Sequence, residues 1–107
     1  MPSPTTAQMA LLKSKMAAAY AARSTKEATG LAFAQAEVNL AAAREAIERA
    51  ATAGVDDDDK LEVLFQAFFD ASVDRGVKNL ANAAADDAVN QLELSAWLGG
   101  ISDGLQA

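Results

Sequence analysis

Residues 33–50 read FAQAEVNLAAAREAIERA, and the spacing of the apolar residues in this stretch decides the fold that we predict. Phe33, Leu40 and Ile47 are seven residues apart, and an alanine follows each of them after three residues. Large and small apolar residues at these two heptad positions form a seam along which two helices pack. Alanine in such a seam lets the two helix backbones approach closely. The stretch therefore predicts a long helix that packs against another helix.

Boundary signals on either side of this stretch predict two long helices. The first is expected at about residues 5–53, because Gly54 suits the position just after a helix end. The second is expected at about residues 57–98, because aspartates of the run 56–59 cap free backbone N–H groups and favour the helix dipole. The predicted fold is all-α, a long antiparallel helical hairpin in which residues 1–107 form one domain.

The outer ends of the two predicted helices also carry boundary residues. Ser3-Pro4 offers a serine cap followed by proline at the first helical position, and Thr5 or Thr6 serves if the helix starts later. The second helix is expected to stop at Gly99-Gly100, which leaves a short tail at residues 101–107.

If the chain folds back at about Val55, a residue of the first helix lies beside the residue of the second helix for which the two residue numbers sum to about 110. Large apolar residues then meet along the hairpin, with Ile47 opposite Leu64, Leu40 opposite Phe69 and Phe33 opposite Val77. The apolar stripe of the second helix is expected to run through these positions at spacings of three and four residues. Two helices alone cannot cover all of the apolar residues. We expect the surplus to pack against another surface, and it comprises Met9, Met16, Phe65, Phe68 and Trp97.

An alternative fold breaks the first helix near Ser24. The sequence Ser24-Thr25-Lys26-Glu27 has the pattern of a capping box, in which a serine is followed three residues later by glutamate. Gly30 costs about 1 kcal/mol relative to alanine inside a helix and weakens the same region. A break here would lay residues 5–23 against the hairpin as the third helix of a bundle.

The composition excludes the commonest catalytic chemistry. The 107 residues include no cysteine and no histidine, so the chain lacks thiolates, the commonest general base and the commonest metal ligand. Serine and threonine have no histidine to activate them, and the aspartate run lacks the alternating ligands and central glycine of a calcium loop. We predict a protein that is not an enzyme and that binds no cofactor, metal ion or small-molecule substrate.

Charge is distributed unevenly along the chain. The net charge is −6, yet residues 1–26 contain no acidic residue. This basic segment is a candidate for docking on an acidic surface, although four cations are a weak footprint for nucleic acid. The longest apolar run, residues 16–22, is too short to span a bilayer. The candidate docking residues are Lys13, Lys15, Arg23 and Lys26.

Residues 56–66 read DDDDKLEVLFQ, which resembles two protease recognition sequences placed end to end. The first five residues resemble the enterokinase sequence, and the next six resemble the sequence cut by picornaviral 3C-type proteases. This resemblance implies an engineered cleavage linker. A native origin is supported by Ala67, which stands where such linkers carry Gly-Pro, and by an apolar face that continues into Phe68. Both interpretations stay open.

These features favour a non-catalytic structural subunit. We predict that it packs through helix faces into a homo-oligomer, a filament or a particle such as a virion. A small adaptor or inhibitor that binds another protein is the alternative, and anion or nucleic-acid binding through the basic segment is a weaker one. The compartment stays open between the cytoplasm and the interior of a macromolecular particle. The predicted packing or interface residues are Phe33, Leu40, Ile47, Leu64, Phe65, Phe68, Phe69, Val73, Val77, Leu80 and Trp97.

Overall fold

The protein is all-α, as the sequence predicts. The structure is a computed structural model that describes residues 3–106, and this range contains no strand. Residues 1, 2 and 107, which include the end of the predicted tail, lie outside the described residues. The helices are α1 (Thr6–Thr52), α2 (Asp58–Asn90) and α3 (Leu94–Gln106).

Contacts between residues divide the chain into two compact units, which we describe separately. The hairpin unit is Ala28–Ala83, and in it the second half of α1 packs antiparallel to most of α2. The terminal unit combines the chain up to Glu27 with the chain from Ala84 onward. It therefore contains the first half of α1, the end of α2, and α3.

A capping box at Thr5 starts α1. The Thr5 hydroxyl accepts a 3.0 Å hydrogen bond from the Gln8 N–H, and the Gln8 side-chain oxygen accepts one of 2.8 Å from the Thr5 N–H. Two N–H groups without helical partners are satisfied in this way. The later of the predicted starts is therefore the one that the chain uses, and Ser3 lies before it.

The alternative with a break near Ser24 is wrong, because α1 runs unbroken from Thr6 to Thr52. The Thr25 hydroxyl donates a 3.0 Å hydrogen bond to the Ala21 carbonyl one turn earlier. A threonine that bonds back in this way is accommodated inside a helix and does not cap a new one. The many alanines of α1 also offset the cost of Gly30.

Gly54 ends α1 in a left-handed conformation, as predicted. Its φ is 71°, its N–H donates to the Ala51 carbonyl at 3.2 Å, and the Val55 N–H donates to the Ala50 carbonyl at 3.0 Å. These two bonds define a Schellman motif, which satisfies carbonyls at the helix end. The tight turn directs the chain into α2.

Two glycine substitutions are expected to change stability in opposite directions. Gly54→Ala forces a side chain into a left-handed backbone, which lowers the free energy of unfolding by about 1 kcal/mol. Gly30→Ala raises it by about 1 kcal/mol, since alanine is the better helix former and its new methyl meets the Asn82 side-chain oxygen at an ordinary 3.7 Å. Urea unfolding of both variants measures the two shifts. A loss of stability in Gly30→Ala would show that the helices pack more closely there.

Asp57 caps α2, which confirms the predicted role of the aspartate run. Its side-chain oxygen accepts a 2.9 Å hydrogen bond from the Asp59 N–H, and Asp58 and Asp59 lie in the first helical turn near the positive end of the dipole. Residues 58–66, most of the segment that resembles a cleavage linker, are therefore the helical start of α2.

Enterokinase is expected to cut the intact protein after Lys60 about tenfold more slowly than it cuts a peptide of residues 53–70. A protease binds its substrate as an extended chain, so the first turns of α2 must open before cleavage. A local opening free energy of about 1.4 kcal/mol gives the tenfold difference. Mass spectrometry of both time courses measures the rates. Equal rates would mean that the helix does not form at residues 58–66 in solution.

Alanine forms the tightest part of the helix seam, as the heptad spacing predicts. In the hairpin unit Ala36 and Ala50 are buried, while Phe33, Leu40 and Ile47 are half-buried on the same face of α1. No large side chain is completely buried among the described residues. Alanine contributes little apolar area, so this seam stabilises the unit modestly.

The prediction that the second helix continues to residue 98 is wrong. It ends at Asn90, and α3 begins at Leu94 and continues through both glycines to Gln106. A straight continuation of the α2 seam would bring Ala96, Gly99 and Asp103 inward, and these residues offer little apolar area. The break at residues 91–93 instead makes Leu94, Trp97 and Ile101 half-buried in the terminal unit, so the change of direction increases the burial of apolar side chains.

Candidate assembly surface

A row of large apolar side chains is exposed along α2 in the hairpin unit. We call Phe65, Phe69, Val73, Val77 and Leu80 the α2 outer stripe. Their exposed fractions are 64%, 54%, 52%, 56% and 72%. A contiguous exposed apolar patch of this kind is unusual on a soluble monomer and is typical of an interaction surface.

The α2 outer stripe lies on the side of the helix away from α1. Successive residues of an α-helix turn by about 100°, so Leu64, Phe68, Ala71 and Asn82 share one face. These four residues are half-buried against α1 within the hairpin unit. The average direction of the stripe is about 155° from the average direction of that face. Both sides of α2 are therefore suited to packing, one within the unit and one outside it.

The predicted facing is consequently wrong for Phe69 and Val77, although the lengthwise register is correct and Leu64, predicted opposite Ile47, does lie on the inward side. Thr29 lies level with Asn82, as a register sum of about 110 requires. Phe33, however, meets Arg75 and not Val77. The Arg75 guanidinium lies 5.5 Å from the centre of the Phe33 ring, within the range of a cation–π contact. At Phe69 and Val77, α2 is therefore turned about its own axis by nearly half a turn from the predicted orientation.

Polar residues fill the positions that the prediction gave to the apolar stripe. In the hairpin unit, the Thr29 hydroxyl donates a 3.2 Å hydrogen bond to the Asn82 side-chain oxygen in a partly buried position. Lys78 is half-buried and pairs with Asp74 one turn earlier at 3.8 Å. Ala71, Lys78 and Ala85 are seven residues apart in the sequence. The pattern cannot be found from apolar residues alone, because its middle residue is a lysine.

Charges on α2 are separated by side. The three basic residues of the helix, Lys60, Arg75 and Lys78, lie toward α1 or beside the turn. Within the hairpin unit, the outward half carries only acidic charge, from Asp58, Glu62 and Asp70, whereas Asp59 lines the same hollow beside the turn as Lys60. The exposed apolar stripe is therefore bordered by acids alone.

Two of the four candidate docking cations make contacts within the terminal unit. The Lys15 ammonium lies 5.8 Å from the centre of the Trp97 ring, and the Lys26 ammonium forms a 2.6 Å ion pair with Asp86. Lys13 and Arg23 are exposed on the same helix. The predicted basic surface is therefore narrower than the sequence implies.

The first half of α1 also has an outward apolar face. Met9, Met16 and Tyr20 are 40%, 55% and 77% exposed, whereas Leu12 and Ala19 are half-buried in the terminal unit. Met9, the least exposed of the three, also lines a hollow in that unit beside Leu12 and Trp97. Lys13 and Arg23 lie beside the three exposed residues on the helix surface. This face combines apolar side chains with basic charge only, because no acid precedes Glu27.

Among residues 3–106, no three acidic side chains converge to a position that could hold a metal ion. No helix in this range has both the length and the apolar character required to cross a bilayer. The pKa of Arg49 is raised above its ordinary value, because its guanidinium donates a hydrogen bond to Glu45 and lies close to that negative charge.

The predicted interface residues thus fall into three groups. Phe33, Leu40, Ile47, Leu64 and Phe68 are half-buried within the hairpin unit, while Phe65, Phe69, Val73, Val77 and Leu80 form the α2 outer stripe. Trp97 is half-buried in the terminal unit beneath Lys15.

Comparison with known proteins identifies no relative of this chain. No protein-family model, no curated protein and no solved structure matches it.

Proposed function

We propose that the chain is a non-catalytic assembly subunit that associates with copies of itself through its outward helix faces. The α2 outer stripe carries this proposal, because five large apolar residues there are each more than half exposed. Burying such side chains against another helix is favourable by about 25 cal/mol for each Å² removed from water. An oligomer, a filament or a particle would provide that burial.

Absolute mass from light scattering after gel filtration, across a wide concentration series, tests the proposal. We expect a mass above 11.1 kDa that reaches a defined oligomer or grows with concentration. A monomer at every concentration would refute self-assembly. That outcome would favour the adaptor alternative, in which a different protein covers the same stripe.

A further inference from the structure

We propose that the α2 outer stripe of one copy packs against the outward face of α1 residues 9–23 in a second copy. The inference rests on the proposed assembly function and names the two surfaces that meet. It applies to a contact between copies and leaves the packing inside each copy unchanged.

Charge complementarity supports this pairing of faces. The α2 outer stripe is bordered by Glu62 and Asp70, with Asp58 beyond its first residue, and no basic residue lies on that half of the helix. The α1 face carries Lys13 and Arg23 and is free of acids. Complementary potentials fix the register of two surfaces and suppress wrong partners.

The same charges disfavour the pairing of two identical faces. Two copies of the α2 outer stripe would bring acidic borders together, and two copies of the α1 face would bring Lys13 and Arg23 together. Like charges placed across an interface destabilise it. The two faces are therefore expected to bind each other and not themselves.

The two surfaces also match in size and shape. Met9 to Tyr20 covers about 16 Å of helix, and Phe65 to Leu80 covers about 22 Å. Gly76 lies within the α2 outer stripe, and apart from its two chain neighbours and the nearby backbone of its own helix no atom lies within 4 Å of the position where its side chain would be. This gap between larger side chains can accept the Tyr20 ring as a knob in a hole.

A contact between two different faces gives the assembly a direction. Each copy carries one face of each kind, so two copies can exchange both contacts, or a series of copies can bind head to tail. Salt weakens the attraction between exposed charges. The assembly is therefore expected to shrink as ionic strength rises.

Charge reversal on each face, followed by mixing, tests the inference. One variant carries Lys13→Glu with Arg23→Glu, and the other carries Glu62→Lys with Asp70→Lys. Each variant alone is expected to assemble at least about tenfold more weakly than the unmodified protein. An equimolar mixture should recover the assembly, because each variant then meets a face of opposite charge. Light scattering measures mass, and circular dichroism checks that both variants keep their helix content.

The outcomes separate this inference from the proposed function. If the unmodified protein assembles and the reversed variants assemble equally well, these faces are not the contacts, although the assembly function stands. Weakened variants that fail to recover on mixing also overturn the pairing. A monomeric unmodified protein refutes the assembly function, and the inference fails with it.

Discussion

Replacing Phe68 by alanine is expected to lower the free energy of unfolding by about 2 kcal/mol, whereas replacing its neighbour Phe69 changes it by less than about 0.5 kcal/mol. Phe68 is half-buried against α1 within the hairpin unit, and Phe69 is 54% exposed. A fully buried phenylalanine costs about 3–5 kcal/mol when truncated, and the remaining exposure of Phe68 lowers that value. The two residues are chemically identical and adjacent, so each is a control for the other.

Assembly is expected to be weakened more by Phe69→Ala than by Phe68→Ala, the reverse of their order in stability. Phe69 belongs to the α2 outer stripe, and truncating a central aromatic residue of an interface weakens association by about 2 kcal/mol, or roughly thirtyfold in Kd. Phe68→Ala weakens assembly only through the smaller folded fraction. Urea unfolding at low concentration measures stability, and light scattering at high concentration measures assembly.

If Phe69→Ala unfolds the protein and Phe68→Ala does not, the apolar stripe faces α1 and the polar face is exposed. That arrangement is the one that the sequence alone suggests. The pair of variants therefore distinguishes the two rotations of α2 about its own axis.

The helix ends at Thr5, Gly54 and Asp57 and the lengthwise register were predictable because they depend on local chemistry and chain length, whereas the end of α2 at Asn90 was not. Thr5, Gly54 and Asp57 act at the ends through hydrogen bonds with residues a few positions away. A tight turn at Gly54 then brings Thr29 level with Asn82, since both helices rise equally per residue.

The rotation of α2 was not predictable from apolar residues alone. The prediction assumed that the largest side chains face the partner helix. Ala36 and Ala50, however, let the helices approach closely, and a close seam has little space for residues such as Phe69. Arg75 suits the edge of this seam, because its long apolar stem packs while its charge remains near water. The seam therefore accommodates Leu64 and Phe68 only as half-buried side chains and leaves Phe69 exposed.

The assembly surface was predictable in composition but not in position. The surplus of apolar residues was evident, and Phe65, Phe69 and Leu80 were among the predicted interface residues. Phe65 was expected to need another surface and is exposed, whereas Phe68, expected there as well, is half-buried within the hairpin unit. The outward direction of Phe69 and Leu80 depends on the rotation of α2, which only the structure provides. The sequence likewise could not show that two of the four candidate docking cations make contacts inside the protein, because Lys15 and Lys26 contact residues far away in sequence.

Replacing Trp97 by alanine is expected to unfold α3 while leaving the hairpin unit intact. The helix has 13 residues, near the length at which isolated helices are marginal, and three of them are glycines that each cost about 1 kcal/mol. Its formation therefore depends on docking in the terminal unit. Trp97 is half-buried there beneath Lys15, and removing its ring costs about 2 kcal/mol of packing.

Hydrogen exchange resolves this local loss. Amides of residues 94–106 should lose protection in Trp97→Ala, while those of residues 33–50 keep theirs. Leu98→Ala is the matched control, because Leu98 is adjacent and 46% exposed, and we expect it to leave α3 protected. Trp97→Phe should retain most of the protection, since an aromatic ring still packs against the terminal unit and faces Lys15. Uniform loss of protection along the whole chain in Trp97→Ala would instead show that α3 and the hairpin unit unfold together.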